Sequence, residues 1–333
     1  MTPALAAWAA ALLLGLPAQG SIHPEAPPVP LQEWTVPRTA GPLATHPTGV
    51  AVDSAGSVYV VEMGAHRIEK YSGHGRLLAR WGAPPADPNA FRSPFAIAVG
   101  PDDSVYITEI GRDGVRRFSS RGEELDRWGG QGSAPGQFLD PFGIAVDANG
   151  TVYVVDGGNR RIQKFSPEGT FLLEWGAEGG GSGQFLSPAG IAAAGDGRVY
   201  VTDPGAGRVQ AFTESGVLVA VWEMPHPSGG FFWPYAVGVD GAGNVYVSNP
   251  FARDVLKFGR NGNILARWVR GATGDPAPPR QLERRNVETR SLPSGIPVTR
   301  APWFSCPVSI AFAPGRDGYI LDQGRSAVIR FQP

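Results

Sequence analysis

Cysteine and charge are both scarce in this sequence. Cys306 is the single cysteine among 333 residues, so an intramolecular disulfide and any metal site built from several cysteines are excluded. Its thiol is either a small buried apolar group or a reactive group in an exported protein, and the sequence leaves both interpretations open. Charged residues make up 18% of the chain, and 29 Lys and Arg against 30 Asp and Glu give a net charge of −1. A near-neutral chain has no general field that attracts polyanions, so we predict no nucleic-acid partner.

Long apolar runs are equally rare. The one such run covers residues 4–16, which is too short for a membrane helix of about 20 residues and has the length of a signal-peptide core. Small residues at Ala18 and Gly20 place a cleavage site before Ser21. We therefore expect residues 1–20 to be a signal peptide and residues 21–333 to be one secreted or periplasmic domain with no membrane span.

Glycine and proline, by contrast, are abundant. The chain has 46 Gly and 32 Pro, about twice the usual combined share, together with nine Trp. Both residue types interrupt helices and mark turns, so the composition favours many short strands and argues against a helical bundle.

A repeat of 47 residues explains this composition. Its markers recur six times at steps of 46 or 47, apart from one step of 73 before the last proline and tyrosine. The prolines are Pro47, Pro94, Pro141, Pro188, Pro234 and Pro307, the tyrosines are Tyr59, Tyr106, Tyr153, Tyr200, Tyr246 and Tyr319, and the tryptophans are Trp34, Trp81, Trp128, Trp175, Trp222 and Trp268. The third unit has four apolar runs, at 143–146, 152–155, 161–165 and 170–175, with glycine-containing turns after the first and third. Four antiparallel strands at this period predict one blade of a β-propeller, so the fold class is all-β with six blades.

The phase of the markers predicts how the ring closes. Trp34 stands 13 residues before Pro47, as Trp81 stands 13 residues before Pro94, so residues 31–34 form a fourth strand with no first three strands ahead of it. The last unit lacks a fourth strand after Phe331. We predict that the N-terminal strand completes the last blade and removes the open edge, and that the tryptophans fill the wedges between blades.

The repeat resembles the NHL family. The phrases that carry the likeness are PFGIAVDANGTVYVVD at 141–156 and NRRIQKF at 159–165, with weaker copies at 66–71 and 207–212, and the resemblance covers residues 31–331. It implies a six-bladed propeller and leaves the function open, because such propellers serve as enzymes, binding modules and scaffolds.

Strand alternation assigns the loops to two faces. The turns from first to second and from third to fourth strand form a tight-turn face, whereas the longer second-to-third loops and the links between blades form a loop-rich face, which we expect to be the functional one. Two sets of residues meet there. The mouth ring follows the opening proline and consists of Thr48, Phe95, Phe142, Ala189, Tyr235 and Val308. The acidic ring ends the second strand and consists of Glu62, Glu109, Asp156, Asp203, Asn249 and Asp322.

The mouth ring is partly aromatic, so we predict that Phe95, Phe142 and Tyr235 bind an apolar or aromatic group at the channel mouth. Glu62, Glu109, Asp156 and Asp203 are the ligand-binding candidates of the acidic ring. A structural role competes with that interpretation, because such carboxylates can accept N–H groups of the following glycine-rich loop or pair with arginines such as Arg161 and Arg208.

Two enzyme activities compete with a binding role. Amidating lyases, which are similar six-bladed propellers, carry zinc-binding histidines at the mouth-ring position of three blades, and this sequence has none there. Lactonase-like propellers use carboxylates and amides around a divalent ion, and Glu62, Asp203 and Asn249 could supply such oxygens.

We predict a monomeric binding or scaffold module for a protein segment or small ligand, with no cofactor. The alternative is a metal-assisted lyase or lactone hydrolase with calcium or magnesium in the channel.

An insertion at 269–302 breaks the period between the fifth and sixth units. The spacing from Trp268 to Pro307 is 39 residues instead of 13, and six arginines lie between Arg270 and Arg300. The insertion is either a solvated loop or a basic flap. We predict a flap that covers part of the channel mouth and pairs at least one arginine with a carboxylate of the acidic ring.

Overall fold

The structure is a computed structural model. It describes residues 30–36, 46–82, 87, 89–224, 233–269, 290–291, 297–300, 304–313 and 317–333. The predicted signal peptide at 1–20 lies outside the described residues, as do 270–289, 292–296 and 301–303 of the insertion.

Blades one to three are four-stranded antiparallel sheets in which each strand pairs with the next along the chain. Blade one consists of β2 (Pro47–Val52), β3 (Val58–Glu62), β4 (Arg67–Tyr71) and β5 (Leu77–Trp81). Blade two consists of β6 (Pro94–Val99), β7 (Val105–Glu109), β8 (Gly114–Phe118) and β9 (Glu124–Gly129), with the 3-10 turn Ile110–Arg112 between β7 and β8. Blade three consists of β10 (Pro141–Val146), β11 (Val152–Asp156), β12 (Arg161–Phe165) and β13 (Phe171–Trp175).

Blades four to six repeat this order. Blade four consists of β14 (Ile191–Ala193), β15 (Arg198–Asp203), β16 (Arg208–Thr213) and β17 (Leu218–Glu223), with the 3-10 turn Pro204–Ala206 between β15 and β16. Blade five begins with β18 (Val237–Val239), β19 (Val245–Asn249), β20 (Asp254–Phe258) and β21 (Ile264–Val269). Blade six consists of β24 (Pro307–Phe312), β25 (Gly318–Asp322) and β26 (Ala327–Phe331), and its fourth strand is β1 (Pro30–Thr35). Within the described part of the chain, no helix has the length and apolarity that a membrane crossing needs.

The predicted ring closure is confirmed. β1 pairs antiparallel with β26 over Pro30–Thr35, with Trp34 opposite Val328. The amide of Val36 extends the contact by donating a hydrogen bond of 2.7 Å to the carbonyl oxygen of Ser326. The N-terminal strand therefore covers the edge of β26 that would otherwise present unpaired backbone groups.

The tryptophans of the repeat lie at the junctions between blades, as predicted. The third-to-fourth turn of the following blade places a glycine over the ring: a Cβ on Gly169 would lie 2.4 Å from Cδ2 of Trp128, and Gly169 has a φ of +89°. Trp222 and Trp268 are buried, whereas the other four are half-buried. Each ring therefore fills a wedge, but the four half-buried rings lose less surface to solvent than complete burial would give.

The flap prediction falls mostly on residues outside the described part of the chain, and the two described segments of the insertion do not support it. β23 (Pro297–Arg300) pairs in parallel with β21, with Arg267 opposite Val298, and β22 (Arg290–Ser291) pairs with β23, so blade five becomes a six-stranded sheet. These segments lie on the outer edge of the blade, not over the channel mouth. The physical reason is that an outer strand offers a row of unpaired N–H and C=O groups to any extended segment nearby. The predicted pair between an insertion arginine and the acidic ring involves side chains outside the described part of the chain.

Candidate functional site

The mouth ring lies where the repeat register predicts it, around the loop-rich end of the central channel. Five of its members line the channel cavity: Thr48, Phe95, Ala189, Tyr235 and Val308. The sixth, Phe142, stands beside Phe95 with their ring centroids 5.3 Å apart. The Phe142 ring also lies so close to Gly157 that a Cβ there would come within 2.3 Å of it. Phe95, Phe142 and Tyr235 are all half-buried, so part of each ring remains open to solvent.

Below the mouth, the channel is narrow, and polar groups line it together with aliphatic residues. One branched aliphatic side chain from each inner strand forms a ring, which consists of Val50, Ile97, Ile144, Ile191, Val237 and Ile310. The cavity that these residues share with the mouth ring has a volume of about 80 Å³. Sites that enclose a drug-sized ligand have volumes of roughly 300–1,000 Å³. The channel therefore has room for a group of side-chain size, and a larger ligand has to lie across the mouth.

Threonine hydroxyls fix the backbone of all three aromatic mouth residues. Thr48 donates to the carbonyl oxygen of Phe95 at 2.6 Å, and Thr108 donates to that of Phe142 at 2.8 Å. Thr202 donates to the carbonyl oxygen of Tyr235 at 2.7 Å and accepts the amide of Gly190 at 2.7 Å. Each bond joins neighbouring blades, so the aromatic rim is held by hydrogen bonds between blades. Sequence reasoning missed Thr108 and Thr202, although they stand out as the threonines where blades one and three have Val61 and Val155.

Tyr235 is the one residue lining the described channel cavity that carries an ionisable group. Burial raises the pKa of its phenol to about 12, with a smaller effect from Cys306. The phenol is therefore neutral at physiological pH. It offers a hydrogen-bond donor beside an apolar ring, which suits recognition better than proton transfer.

The acidic ring lies beneath the surface of the loop-rich face, and its carboxylates are absent from the channel lining. Asp156 is fully buried and accepts hydrogen bonds from the backbone amide of Leu139 at 2.8 Å and from Nε of Arg161 at 2.8 Å. The side-chain amides of Asn159 and Gln163 also donate to it, at 2.9 to 3.0 Å. A carboxylate with this many donors holds the link between blades in place, and none of its donors belongs to the channel.

The same arrangement recurs in other blades. Asp203 accepts the amides of Leu186 and Ser187, and Asp322 accepts those of Ser305 and Cys306. These donors precede the opening proline of the same blade. The expected donor from the loop after the carboxylate is present at Asp322, which also accepts the amide of Arg325 at 3.2 Å. The expected arginine contact is present at Asp203, where Nε of Arg208 lies at 3.6 Å. Ligand binding by Glu62, Glu109, Asp156 and Asp203 stays a prediction.

Glu62 differs from the other members of the acidic ring. It is fully buried, and neither carboxylate oxygen has a hydrogen-bond partner among the described residues. Burial raises its pKa to about 7, the neighbouring charge of Glu69 adds to the increase, and Arg67 opposes it. In blade three the position of Glu69 is taken by Gln163, which donates to the carboxylate. Glu62 therefore faces a second acid where Asp156 has an amide donor.

Two further predictions concern metals and the cysteine. Within the part of the chain that the structure describes, no three His, Cys, Asp or Glu side chains form a group that could hold a metal ion. Cys306 is half-buried and unpaired in a disulfide, and burial is the main cause that raises the pKa of its thiol. A raised thiol pKa lowers the thiolate fraction at neutral pH, which favours the packing role over the reactive one.

Comparison with known proteins supports the repeat and the fold. Residues 138–165, which contain the first three strands of blade three, match the NHL repeat family. No curated protein sequence matches the chain. Among solved structures, a streptogramin B lyase is 15% identical over 91% of this chain and 97% of its own, with a TM-score of 0.61. A gluconolactonase from Xanthomonas campestris is 16% identical over 94% of this chain and 99% of its own, with a TM-score of 0.58.

A third similar structure is a nidogen–laminin complex. One of its chains is 19% identical over 67% of this chain and 80% of its own, with a TM-score of 0.52. Two of these similar structures are thus described as enzymes and one as a protein complex, and at such identities the likeness is one of fold alone. The chain is a six-bladed β-propeller that carries an NHL repeat in its third blade.

Proposed function

We propose that this propeller is an exported binding module that holds a protein segment at the loop-rich mouth of its channel. The observation that carries the proposal is the rim formed by Phe95, Phe142 and Tyr235. All three residues are partly exposed, and their backbone carbonyls are each fixed by a hydroxyl. Aromatic side chains that are held in place before binding lose little conformational freedom on binding, and such residues are enriched among interface hot spots.

The size of the channel favours a protein segment over an enclosed small ligand. A cavity of about 80 Å³ accepts one apolar side chain, and the remaining contacts have to spread over the loops around the mouth. Leu139, Leu186 and Phe251 are exposed in the links and loops of this face, and Phe251 is 77% exposed. A segment that inserts one apolar side chain and lies across these residues would use the apolar surface that the face presents.

The chemistry of the channel favours binding over the lyase or lactone hydrolase alternative. The one ionisable group in its described lining is the phenol of Tyr235, and the oxygens of Asp156 and Asp203 are occupied by backbone amides and arginines. General acid–base or metal-assisted catalysis needs groups that are free to meet a substrate. The carboxylates of Asp156 and Asp203 instead hold the links between blades.

Selection from a random peptide library on the purified protein tests the proposal. We expect the selected peptides to share an apolar or aromatic anchor, and to bind the double variant Phe95→Ala/Tyr235→Ala at least tenfold more weakly than the wild type. Leu172→Ala is the matched control, because Leu172 is 52% exposed on the outer strand of blade three and lies away from the mouth. Peptides that bind the double variant as tightly as the wild type would contradict the proposal.

A further inference from the structure

On the tight-turn face, three blades share one arrangement of a tyrosine and an aspartate. The hydroxyl of Tyr59 donates to Asp53 at 2.9 Å, that of Tyr153 to Asp147 at 3.1 Å, and that of Tyr246 to Asp240 at 3.0 Å. In each case the same carboxylate also accepts backbone amides of its own turn; Asp147, for example, accepts that of Thr151 at 2.9 Å. The tyrosine hydroxyl of these blades is thus satisfied by a carboxylate that the turn holds in place.

Blade six keeps the tyrosine and lacks the carboxylate. The residue six positions after the opening proline is Asp53 in blade one and Ala313 in blade six. Tyr319 is only 2% exposed, and its hydroxyl makes no hydrogen bond to the residues that the structure describes. Other blades that lack the aspartate satisfy the hydroxyl differently, since Tyr106 donates to the carbonyl oxygen of Pro167 at 3.3 Å and Tyr200 is bonded to Arg198.

A cavity of about 830 Å³ lies in front of Tyr319, at the seam where blade six meets blade one. Its walls include Ala313, Tyr319 and Arg330 of blade six and the two turns 53–56 and 72–76 of blade one. This volume is within the range of sites that bind small organic molecules. The hydroxyl without a partner, the missing carboxylate and the cavity therefore coincide.

The charges around the cavity favour an anion. Arg330 pairs with Asp317 at 2.5 Å, and its Nη1 is directed to blade one, where the carbonyl oxygen of Gly73 lies at 3.4 Å. Asp53 is already neutralised by Lys70 at 3.1 Å and by the hydroxyl of Tyr59. The lining holds two arginines and two aspartates, and both aspartates have an ion-pair partner, Lys70 for Asp53 and Arg330 for Asp317. Arg76 is exposed and has no ion-pair partner among the described residues, so its charge is the one in the lining that remains for an anion.

We propose that this seam cavity binds a small organic molecule through a single carboxylate group, which takes the place of the aspartate that blade six lacks. The carboxylate accepts a hydrogen bond from the hydroxyl of Tyr319 and is attracted by Arg330 and Arg76. The rest of the molecule occupies the cavity between the two turns of blade one. Because the cavity opens on the tight-turn face, this site is separate from the channel mouth and does not depend on its function.

Acetate and benzoate are suitable probes, with benzamide as the neutral control, in a titration of the full chain followed by NMR. We expect one saturable benzoate site per chain and no saturable binding of benzamide. Tyr319→Phe should weaken benzoate binding about tenfold, because the charge-assisted hydrogen bond is lost. Tyr153→Phe, the same change in blade three, should leave the affinity unchanged. The absence of saturable binding by both acetate and benzoate, or equal affinity of the wild type and Tyr319→Phe, would overturn the proposal.

Filling the site with a side chain of the protein itself is a second test, and its measurement of thermal unfolding needs no ligand. Ala313→Asp supplies the missing carboxylate, so it should raise the midpoint of thermal unfolding at pH 7 and abolish benzoate binding. Ala313→Asn, which has the same shape without the charge, should raise the midpoint less. A lower midpoint for Ala313→Asp than for Ala313→Asn, or benzoate binding that survives in Ala313→Asp, would show that the space does not accept a carboxylate.

Discussion

The hydroxyl of Thr202 joins two blades, because it accepts the amide of Gly190 in its own blade and donates to the carbonyl oxygen of Tyr235 in the next, both at 2.7 Å. Thr202 is fully buried, whereas Gly190 and Tyr235 are half-buried and line the channel cavity. The position of Tyr235 at the mouth thus depends on Thr202, which belongs to the preceding blade.

Replacing this hydroxyl should cost stability out of proportion to its size. Thr202→Val keeps the shape of the side chain and leaves the N–H of Gly190 and the C=O of Tyr235 without their hydrogen bonds to this hydroxyl, which should lower the free energy of unfolding by about 1 kcal/mol. Urea unfolding measures the change. Thr170→Val is the control, because Thr170 is exposed and should tolerate the change within about 0.5 kcal/mol. Equal effects of the two variants would contradict this role for Thr202.

The glycine over Trp128 should be intolerant of any side chain. Gly169→Ala adds a Cβ that would lie 2.4 Å from the indole, at a φ of +89°, and should cost about 3 kcal/mol or more. Two glycines of the link between blades three and four separate the cost of the close contact from the cost of the positive φ. Gly183 has a φ of +79° with no atom within 4 Å of an added Cβ, so its alanine variant should cost about 1 kcal/mol. Gly180 has neither constraint, and its alanine variant should be near neutral.

Thermal unfolding of the three alanine variants gives the order of their losses in stability directly. A cost for Gly169→Ala no greater than that for Gly183→Ala would mean that the tryptophan moves aside without penalty. The wedge role assigned to the tryptophans of the repeat would then be wrong.

Removing the closing strand should have the largest effect on the fold. Deletion of Pro30–Thr35 uncovers the edge of β26 and removes Trp34 from its place against Gly75. We expect a loss of several degrees or more in the midpoint of thermal unfolding, and concentration-dependent aggregation measured by light scattering. Leu31→Ser, at a position that is 48% exposed on the same strand, is the control and should remain soluble. A soluble deletion variant with an unchanged midpoint would contradict closure by this strand.

Glu62 should make stability depend on pH in a defined window. Its pKa is raised to about 7 in the folded chain, against an ordinary value of 4.5, so the folded state holds a proton that the unfolded state releases. Its contribution is therefore fully present below about pH 4.5 and is lost as the pH rises through 7, with a total of about 3 kcal/mol. Asp322 and Glu109 also have raised pKa values and act in the same direction.

The difference between the wild type and Glu62→Gln isolates this one group. Glutamine cannot ionise, so we expect Glu62→Gln to be more stable than the wild type at pH 8 and to lose that advantage near pH 5. Urea unfolding at several pH values measures both curves. A difference that does not change between pH 5 and pH 8 would show that Glu62 does not titrate in this window.

The sequence predicts the parts of this molecule that repeat. Each blade is encoded by the same local signals, a proline, a Val-Tyr-Val phrase and turn glycines, so the periodicity alone predicts the six sheets and the phase of Trp34. The mouth ring follows from the same register, because Phe95, Phe142 and Tyr235 occupy one position of the repeat.

The features that the sequence does not predict are contacts between units. The backbone donors to Asp156 and Asp203 come from the links that precede each blade and stand 17 residues before the carboxylate in both. The hydroxyl of Thr202 reaches the next blade. A backbone amide carries no residue-type signal, so the sequence does not show that these links fold back onto the carboxylates. The course of the insertion is a further feature that the sequence does not predict. The insertion has no counterpart in other units, and its described segments follow the free outer edge of blade five, which no periodicity indicates.

The central claim is that a protein segment is bound at the loop-rich mouth by its aromatic rim. The most direct measurement is methyl NMR of the full chain with a selected peptide, with labels on the isoleucines and valines. We predict that the largest shifts belong to Val308, Ile97 and Ile310, which line the channel cavity, with little change at Val217 and Val219, which are exposed on the outer side of blade four. Shifts confined to the outer strands, with the channel methyls unmoved, would contradict the account.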